Sequence, residues 1–286
     1  MTIVAGSLKV AVVGAGTMGQ GIAQVCAMSG FETLLYDLDS GIIGRAIEQI
    51  ERNLSIGIEK GKINNEQKQF ALDHIDSSAD IEDVSANIII EAIIEELDAK
   101  VQLFRDLEEI NSEETIIATN TSSIPITSIA AHLSRPGNFI GMHFFNPAHV
   151  MKLVEVITGL STFQDTTRKV VEFSKKLGKE TILANDSPGF IVNRVARHFY
   201  LESLKILEEK VADHQTIDFL MENSGFKMGP FRLMDLIGID TNFSVTKSIY
   251  NSFYQDAKFR PNRIQQQMVN GGLLGRKTGK GFYEYD

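Results

Sequence analysis

His143 and Glu155 are the residues of this chain whose types and settings most invite chemistry. His143 lies in Gly141-Met142-His143-Phe144-Phe145-Asn146-Pro147, a polar residue at the end of an apolar, aromatic run. Glu155 stands alone in Leu153-Val154-Glu155-Val156-Ile157, and in a strand Val154 and Val156 would face away from it. A buried lone carboxylate needs a partner, and a histidine at the end of a neighbouring strand would serve. A carboxylate on one imidazole nitrogen fixes the tautomer and stabilises the imidazolium, leaving the other nitrogen as a general base. The plainer possibility is a buried ion pair with no catalytic duty. Two further features favour catalysis. Thr119-Asn120-Thr121-Ser122-Ser123 follows an apolar run and offers a polar cluster that includes Ser122, and a glycine loop stands near the N-terminus.

That loop is Gly14-Ala15-Gly16-Thr17-Met18-Gly19. An apolar, β-branched run precedes it, a helical pattern through Ile22, Val25 and Cys26 follows, and a second apolar run ends at Tyr36-Asp37. This is G-x-G-x-x-G with a strand before it, a helix after it and an acid closing the next strand. Gly14 permits the tight turn, Gly16 lets the backbone approach a pyrophosphate, and Gly19 lets helix and strand pack closely. The helix N-terminus, opened by Thr17 and Met18, offers unpaired N–H groups to phosphate. Asp37, 23 positions past Gly14, can accept from both ribose hydroxyls and would repel a 2′-phosphate. The pattern therefore predicts a dinucleotide site that prefers NAD to NADP. Ligands of open α/β folds sit beyond the carboxyl ends of the strands, so the 119–123 cluster should border the nicotinamide.

The elements that must position these residues alternate. Residues 39–60 and 65–74 read as a helical pair joined at Lys60-Gly61-Lys62, longer than a simple crossover needs and read as an insertion. Strands are expected at 87–94, 115–118, 139–143, 152–157 and 180–184, with helices at 98–110 and 166–177. Repeated βα units imply a Rossmann-like, doubly wound and mostly parallel sheet. At Asn185-Asp186-Ser187-Pro188-Gly189 the character changes, and helical periodicity continues through 190–209, 213–223, 230–237, 241–254 and 262–270. Residues 1–185 thus read as a dinucleotide-binding domain and 186–286 as an all-helical one. Asn193, one turn into the first helix after Pro188-Gly189-Phe190, is expected to face the first domain and orient a substrate oxygen.

Composition narrows the classes. At 286 residues there is ample core for two domains, and 43% hydrophobic with 23% charged residues is ordinary for a soluble protein. A net charge of −9 argues against nucleic acid as main partner. The single cysteine, Cys26, fits a reducing, cytoplasmic setting and reads as a packed core thiol. There is no apolar run of about 18 residues for a membrane span, no signal-peptide pattern and no metal-ligand spacing.

Taken in order, GAGTMG, EAI-x-E, NTSS, MHFFNP, MKLVEV, PGF-x-VNR, MGPF-x-LMD and RKTGKGFY span nearly the whole chain. Together they resemble the L-3-hydroxyacyl-CoA dehydrogenase family in its stand-alone form. The resemblance implies a Rossmann-like domain with a helical domain that forms a homodimer, NAD as cofactor, and interconversion of (3S)-3-hydroxyacyl-CoA and 3-oxoacyl-CoA. It makes His143 the base, Glu155 its partner, Ser122 the serine at the reacting oxygen and Asn193 the asparagine on the substrate. Asp37, Glu95, Lys100, Asn120, Ser122, Asn146 and Lys277 fall on NAD positions, and Lys60 where CoA is held. Asn53 stands where some relatives carry serine. A short acyl chain such as 3-hydroxybutyryl is implied.

Two departures stand out. His149 replaces a small residue or proline and reads as a surface histidine. Lys227 and Arg232 flank Met228-Gly229-Pro230, which resembles forms acting on a substrate with a second carboxylate, such as 3-hydroxyadipyl-CoA. The plainer view makes both solvated charges. Two rival functions are a β-hydroxyacid dehydrogenase of free acids, which commonly uses a lysine base, and a non-catalytic NAD-binding protein. MHFFNP, LVEV and the intact His143 and Glu155 argue against both.

Overall fold

The computed structural model describes residues 8–285, in two compact units that meet in sequence at Ser187 and Pro188. The first opens with β1 (Lys9–Val13), α1 (Thr17–Met28), β2 (Glu32–Tyr36), α2 (Ser40–Glu59), α3 (Asn65–Asp73) and β3 (Ile75–Ser78). It continues through β4 (Ile88–Glu91), α4 (Leu97–Ile110), β5 (Ile116–Thr119), α5 (Ile126–Ala130), β6 (Phe139–Phe144), β7 (Leu153–Thr158), α6 (Gln164–Lys176) and β8 (Glu180–Asn185). The strands form one eight-stranded sheet in the order β3-β2-β1-β4-β5-β6-β7-β8. Every neighbouring pair is parallel except β6 and β7, so the mostly parallel, doubly wound sheet expected from the sequence is present.

The inner strands are buried throughout, which is why they read as unbroken apolar runs rather than alternating ones. The strand pattern expected from the sequence does not include β3. Its residues, Ile-Asp-Ser-Ser, are polar and half exposed, as an edge strand permits. Because β3 pairs in parallel with β2, the α2–α3 pair is the crossover between them rather than an addition outside the winding. Ile43, Ala46, Ile50 and Leu54 form the buried stripe of α2 and join the main core. Asp39 caps α2 through the Gly41 N–H at 2.7 Å, and Asn64 with Gln67 forms a capping box on α3.

The second unit contains α7 (Val192–Glu208), α8 (His214–Asn223), α9 (Pro230–Ile237), α10 (Ile239–Ser252) and α11 (Arg263–Asn270). Its core is Tyr200, Leu204, Ile217, Phe231, Met234 and Ile239. Two buried aspartates fasten it. Asp218 accepts from the Phe231 and Arg232 N–H groups, each at 2.9 Å, and from the Tyr283 hydroxyl at 2.8 Å. Asp235 accepts from the Phe282 and Tyr283 N–H groups and the Tyr285 hydroxyl at 3.0, 2.9 and 3.0 Å. A Cβ at Gly281 would lie 2.2 Å from Asp235 Oδ1, so the final segment depends on glycine there.

Candidate active site

The carboxyl ends of β1, β2 and β4 form the first wall of the site. Gly14 has φ +100°, donates its N–H to the Tyr36 carbonyl at 2.7 Å, and faces Ala92 so closely that a Cβ would lie 2.7 Å from its carbonyl oxygen. A Cβ at Gly19 would lie 1.7 Å from the Gly14 oxygen. Glycine is thus required at both positions by contact with backbone. Gly16 differs: a Cβ there would meet only open space. It is the residue before α1, and no side chain caps that helix and no acid occupies its first turn. Thr17 is exposed and Met18 half-buried. The first turn therefore presents backbone N–H groups and the positive end of the helix dipole to whatever anion arrives.

A pocket of about 570 Å³ adjoins this turn, lined in part by Gly14, Gly16, Asp37, Leu38, Ile93 and Leu103. Asp37 Oδ2 accepts from the Ala15 N–H at 2.8 Å and Oδ1 from the Asp39 N–H at 3.1 Å, which holds the carboxylate at the pocket wall. An apolar slot with a carboxylate beside the phosphate turn fits the adenosine half of a dinucleotide.

The second wall is the loop after β5, and it hangs from a charged cluster that runs from the exposed Glu95 inward to Lys100 and Glu91. Glu95 Oε1 accepts from the Thr121 hydroxyl at 2.6 Å, the Ser122 N–H at 2.9 Å, the Ser123 N–H at 3.1 Å and the Ser123 hydroxyl at 2.9 Å. Glu95 Oε2 lies 3.3 Å from Lys100 Nζ. Burial alone would raise the Glu95 carboxyl, but Lys100 and these donors outweigh it and hold it below the usual carboxylate range. The Lys100 ammonium is itself buried, 2.5 Å from Glu91 Oε1. Glu91 is absent from the residues that the sequence singles out. The signal available was an acid ending an otherwise isoleucine strand, followed by a second acid in EAI-x-E.

The third wall holds His143 and Glu155. They are direct partners in the antiparallel β6–β7 ladder, so their side chains leave the same face side by side. Nδ1 of His143 lies 2.8 Å from Glu155 Oε2, and both residues are buried. The carboxylate thereby selects the tautomer with its proton on Nδ1. Phe145 packs on the imidazole with ring centroids 4.5 Å apart. Asn120 joins the second and third walls. β6 runs on past Gly141, its last residue paired with β5, and the Asn120 Oδ1 accepts the Phe144 N–H at 2.8 Å.

The remaining residues have these places. Asn146 is exposed, just after β6. His149 is half-buried rather than on the surface. Burial, then the charges of Lys179 and Lys62, hold its imidazole below the usual range. Lys179 itself donates to the Ala148 and Met151 carbonyls at 2.6 and 2.7 Å, fixing that turn. Lys60 is exposed at the C-terminus of α2. The Asn53 amide serves helix packing, with its Nδ2 donating to Gln24 Oε1 at 3.2 Å and its Oδ1 accepting from Gln49 at 2.9 Å.

Asn193 and Lys277 lie in the second unit. Asn193 is the second residue of α7, and the Lys277 ammonium pairs with Asp240 at 2.6 Å. Arg232 is exposed, as the plainer view of a solvated charge expects, and is held along one side. It stacks 4.3 Å over the Tyr283 ring, with Glu222 3.6 Å and Asp218 4.0 Å from its Nε. Lys227 is exposed. Among the described residues no group of His, Cys, Asp and Glu could hold a metal ion, and no helix is long and apolar enough to cross a membrane.

Comparison with known proteins identifies the family of both units. Residues 9–187 match the NAD binding domain of 3-hydroxyacyl-CoA dehydrogenase, and residues 189–285 match its C-terminal domain. The chain is 45% identical to a 3-hydroxyadipyl-CoA dehydrogenase of Escherichia coli (strain K12) over 96% of its own length, but spans only 58% of that relative. It is 41% identical to a probable 3-hydroxybutyryl-CoA dehydrogenase of Deinococcus radiodurans, covering 97% of this chain and 100% of the other. It superposes on the crystal structure of an (S)-3-hydroxybutyryl-CoA dehydrogenase from Ralstonia eutropha with a TM-score of 0.93 at 42% identity, over 97% and 99% of the two chains. The chain is an NAD-dependent dehydrogenase and belongs to the 3-hydroxyacyl-CoA dehydrogenase family.

Proposed function

We propose that this chain oxidises a short-chain (3S)-3-hydroxyacyl-CoA to the 3-oxoacyl-CoA, reversibly, with His143 as the base. The observation that carries the reading is the buried His143–Glu155 pair at 2.8 Å. NAD, when bound, accepts the hydride from C3. The open space at Gly16 and the uncapped start of α1 fit its pyrophosphate, and Asp37 fits its ribose. His143 Nε2 takes the hydroxyl proton while Glu155 stabilises the imidazolium, a contribution of about 10²–10⁴-fold. Ser122 and Asn193 orient the substrate oxygens, and Asn146, Lys277 and the 119–123 loop serve the cofactor. Lys60 meets a CoA phosphate as a point charge, and Asn53, about two turns earlier on α2, lies toward the same ligand.

Addition of acetoacetyl-CoA and NADH tests the reading: NADH absorbance falls if it holds and stays constant if it does not. Comparing 3-hydroxyadipyl-CoA with 3-hydroxyhexanoyl-CoA then separates a dicarboxylic substrate, named for the Escherichia coli relative, from a neutral one. Lys60→Glu should raise the KM for acyl-CoA several-fold, about what one exposed charge contributes, and leave that for a pantetheine thioester unchanged. An equal rise for both would remove Lys60 from the CoA site. The exposed Val195, Phe219 and Leu220 support a homodimer through the helical unit, and the single, buried Cys26 supports a reducing, cytoplasmic location.

A further inference from the structure

Lys100 is 1% exposed and Glu91 0%, which places both among the least accessible charged groups described. A buried ammonium costs several kcal/mol unless it is paired, and here it has two carboxylates, Glu91 at 2.5 Å and Glu95 at 3.3 Å. Glu91 is saturated on its own account. Oε1 also accepts from the Ile93 N–H at 2.7 Å, and Oε2 from the Thr119 hydroxyl at 2.6 Å. The Glu91 carbonyl accepts the Asn120 N–H at 2.8 Å. Glu91 therefore reaches both ends of the loop: the last residues of β5 directly, and residues 121–123 through Lys100 and Glu95.

We propose that Glu91 is a positioning residue for hydride transfer: it holds Lys100 as a buried counter-ion that keeps Glu95 aimed at the Thr121-Ser122-Ser123 backbone. The proposal rests on the reading that this loop borders the reacting carbon. It gives Lys100 a role in holding Glu95, in addition to any contact with the cofactor. Replacing the Glu91 carboxylate by an amide leaves the ammonium with one acid, which then turns toward Lys100 and loosens its grip on the loop. Such a shift misplaces reacting atoms without removing any binding group, and misplacement of about 1 Å costs up to ~10² in rate.

The test uses Glu91→Gln, Lys100→Met and the double variant of the full chain. Glu91→Gln should lower kcat about tenfold or more, with the KM for acetoacetyl-CoA and the Kd for NADH changed less than about threefold. The primary isotope effect with 4-deuterated NADH should rise, because hydride transfer becomes more rate-limiting. The double variant should be no slower than the worse single one, since both act through Glu95. Amide exchange of Ser122 and Ser123 should quicken in Glu91→Gln, a readout independent of turnover. If the unmodified chain does not turn over acetoacetyl-CoA, the proposed function fails, and amide exchange still judges Glu91. Unchanged kcat, or unchanged exchange at Ser122 and Ser123, would overturn the proposal. So would effects on kcat that multiply in the double variant. Should Glu91→Gln not fold, Glu91→Asp, which keeps the charge and shortens its reach, is read by the same criteria.

Discussion

The two units both bury carboxylates, but they give them different partners. In the first, Glu155 faces an imidazole and Glu91 an ammonium. In the second, Asp218 and Asp235 face backbone N–H groups and tyrosine hydroxyls. An acid that faces a side chain able to gain or lose a proton, at the end of a sheet strand, can take part in chemistry. An acid that faces amides and phenols held protonated well above neutral pH has no proton to exchange with them there, and its work is to close the fold. The motifs MGPF-x-LMD and RKTGKGFY belong to the second kind. They carry the aspartate, glycines and tyrosine of a fastening, and Arg232 is drawn into it by Tyr283, Asp218 and Glu222.

If the contrast is sound, His143→Gln should cut turnover by ~10² or more while NADH binding, followed by fluorescence, is spared. A variant that lost NADH affinity and turnover together would blur the two kinds of acid. Asp235→Asn should do the opposite. It loses charged hydrogen bonds that contribute about 1.5–3 kcal/mol each. The urea midpoint should therefore fall with its slope unchanged, while kcat of the folded enzyme stays near the original.

Asp37 lies between these extremes, since it accepts from loop N–H groups and also lines the pocket. Asp37→Ala should weaken NADH about tenfold and narrow its advantage over NADPH, because it removes an acceptor and a repulsive charge. Equal use of both dinucleotides by the unmodified protein would sink that role. The smallest effect concerns alkali. Burial and the Asp235 hydrogen bond push the Tyr285 phenol up from 10.0 to about 12. A folded value above the unfolded one stabilises fully below about pH 10, and that contribution is lost as pH rises toward 12. Tyr285→Phe should flatten this part of the stability profile, measured by urea titration at successive pH values.

Much of the site was legible because its residues clash with their local setting. His143 and Glu155 are polar in apolar strands, and the glycine loop breaks a strand into a helix. The sheet was legible for the same reason, through its unbroken apolar runs. Three things were not. The antiparallel turn of β6 against β7 leaves no local mark, although it is what brings His143 opposite Glu155. β3 has too few apolar residues to announce itself. Glu91 has partners that only folding brings near, so its isolated letter reads as a strand end, and the Tyr283 ring under the exposed Arg232 is equally invisible in sequence.

The Asn120 amide has a consequence for how this protein can be altered. Its single hydrogen bond to the Phe144 N–H spans the gap where β5 has ended and β6 has not. Beyond the ladder, the Asn120 side chain thus ties the loop carrying Ser122 to the strand carrying His143, within one unit. Lengthening that side chain by a methylene, as in Asn120→Gln, would alter how the Ser122 loop sits against the His143 strand without changing either residue. The spacing of the two proposed groups is thus open to adjustment from a third residue.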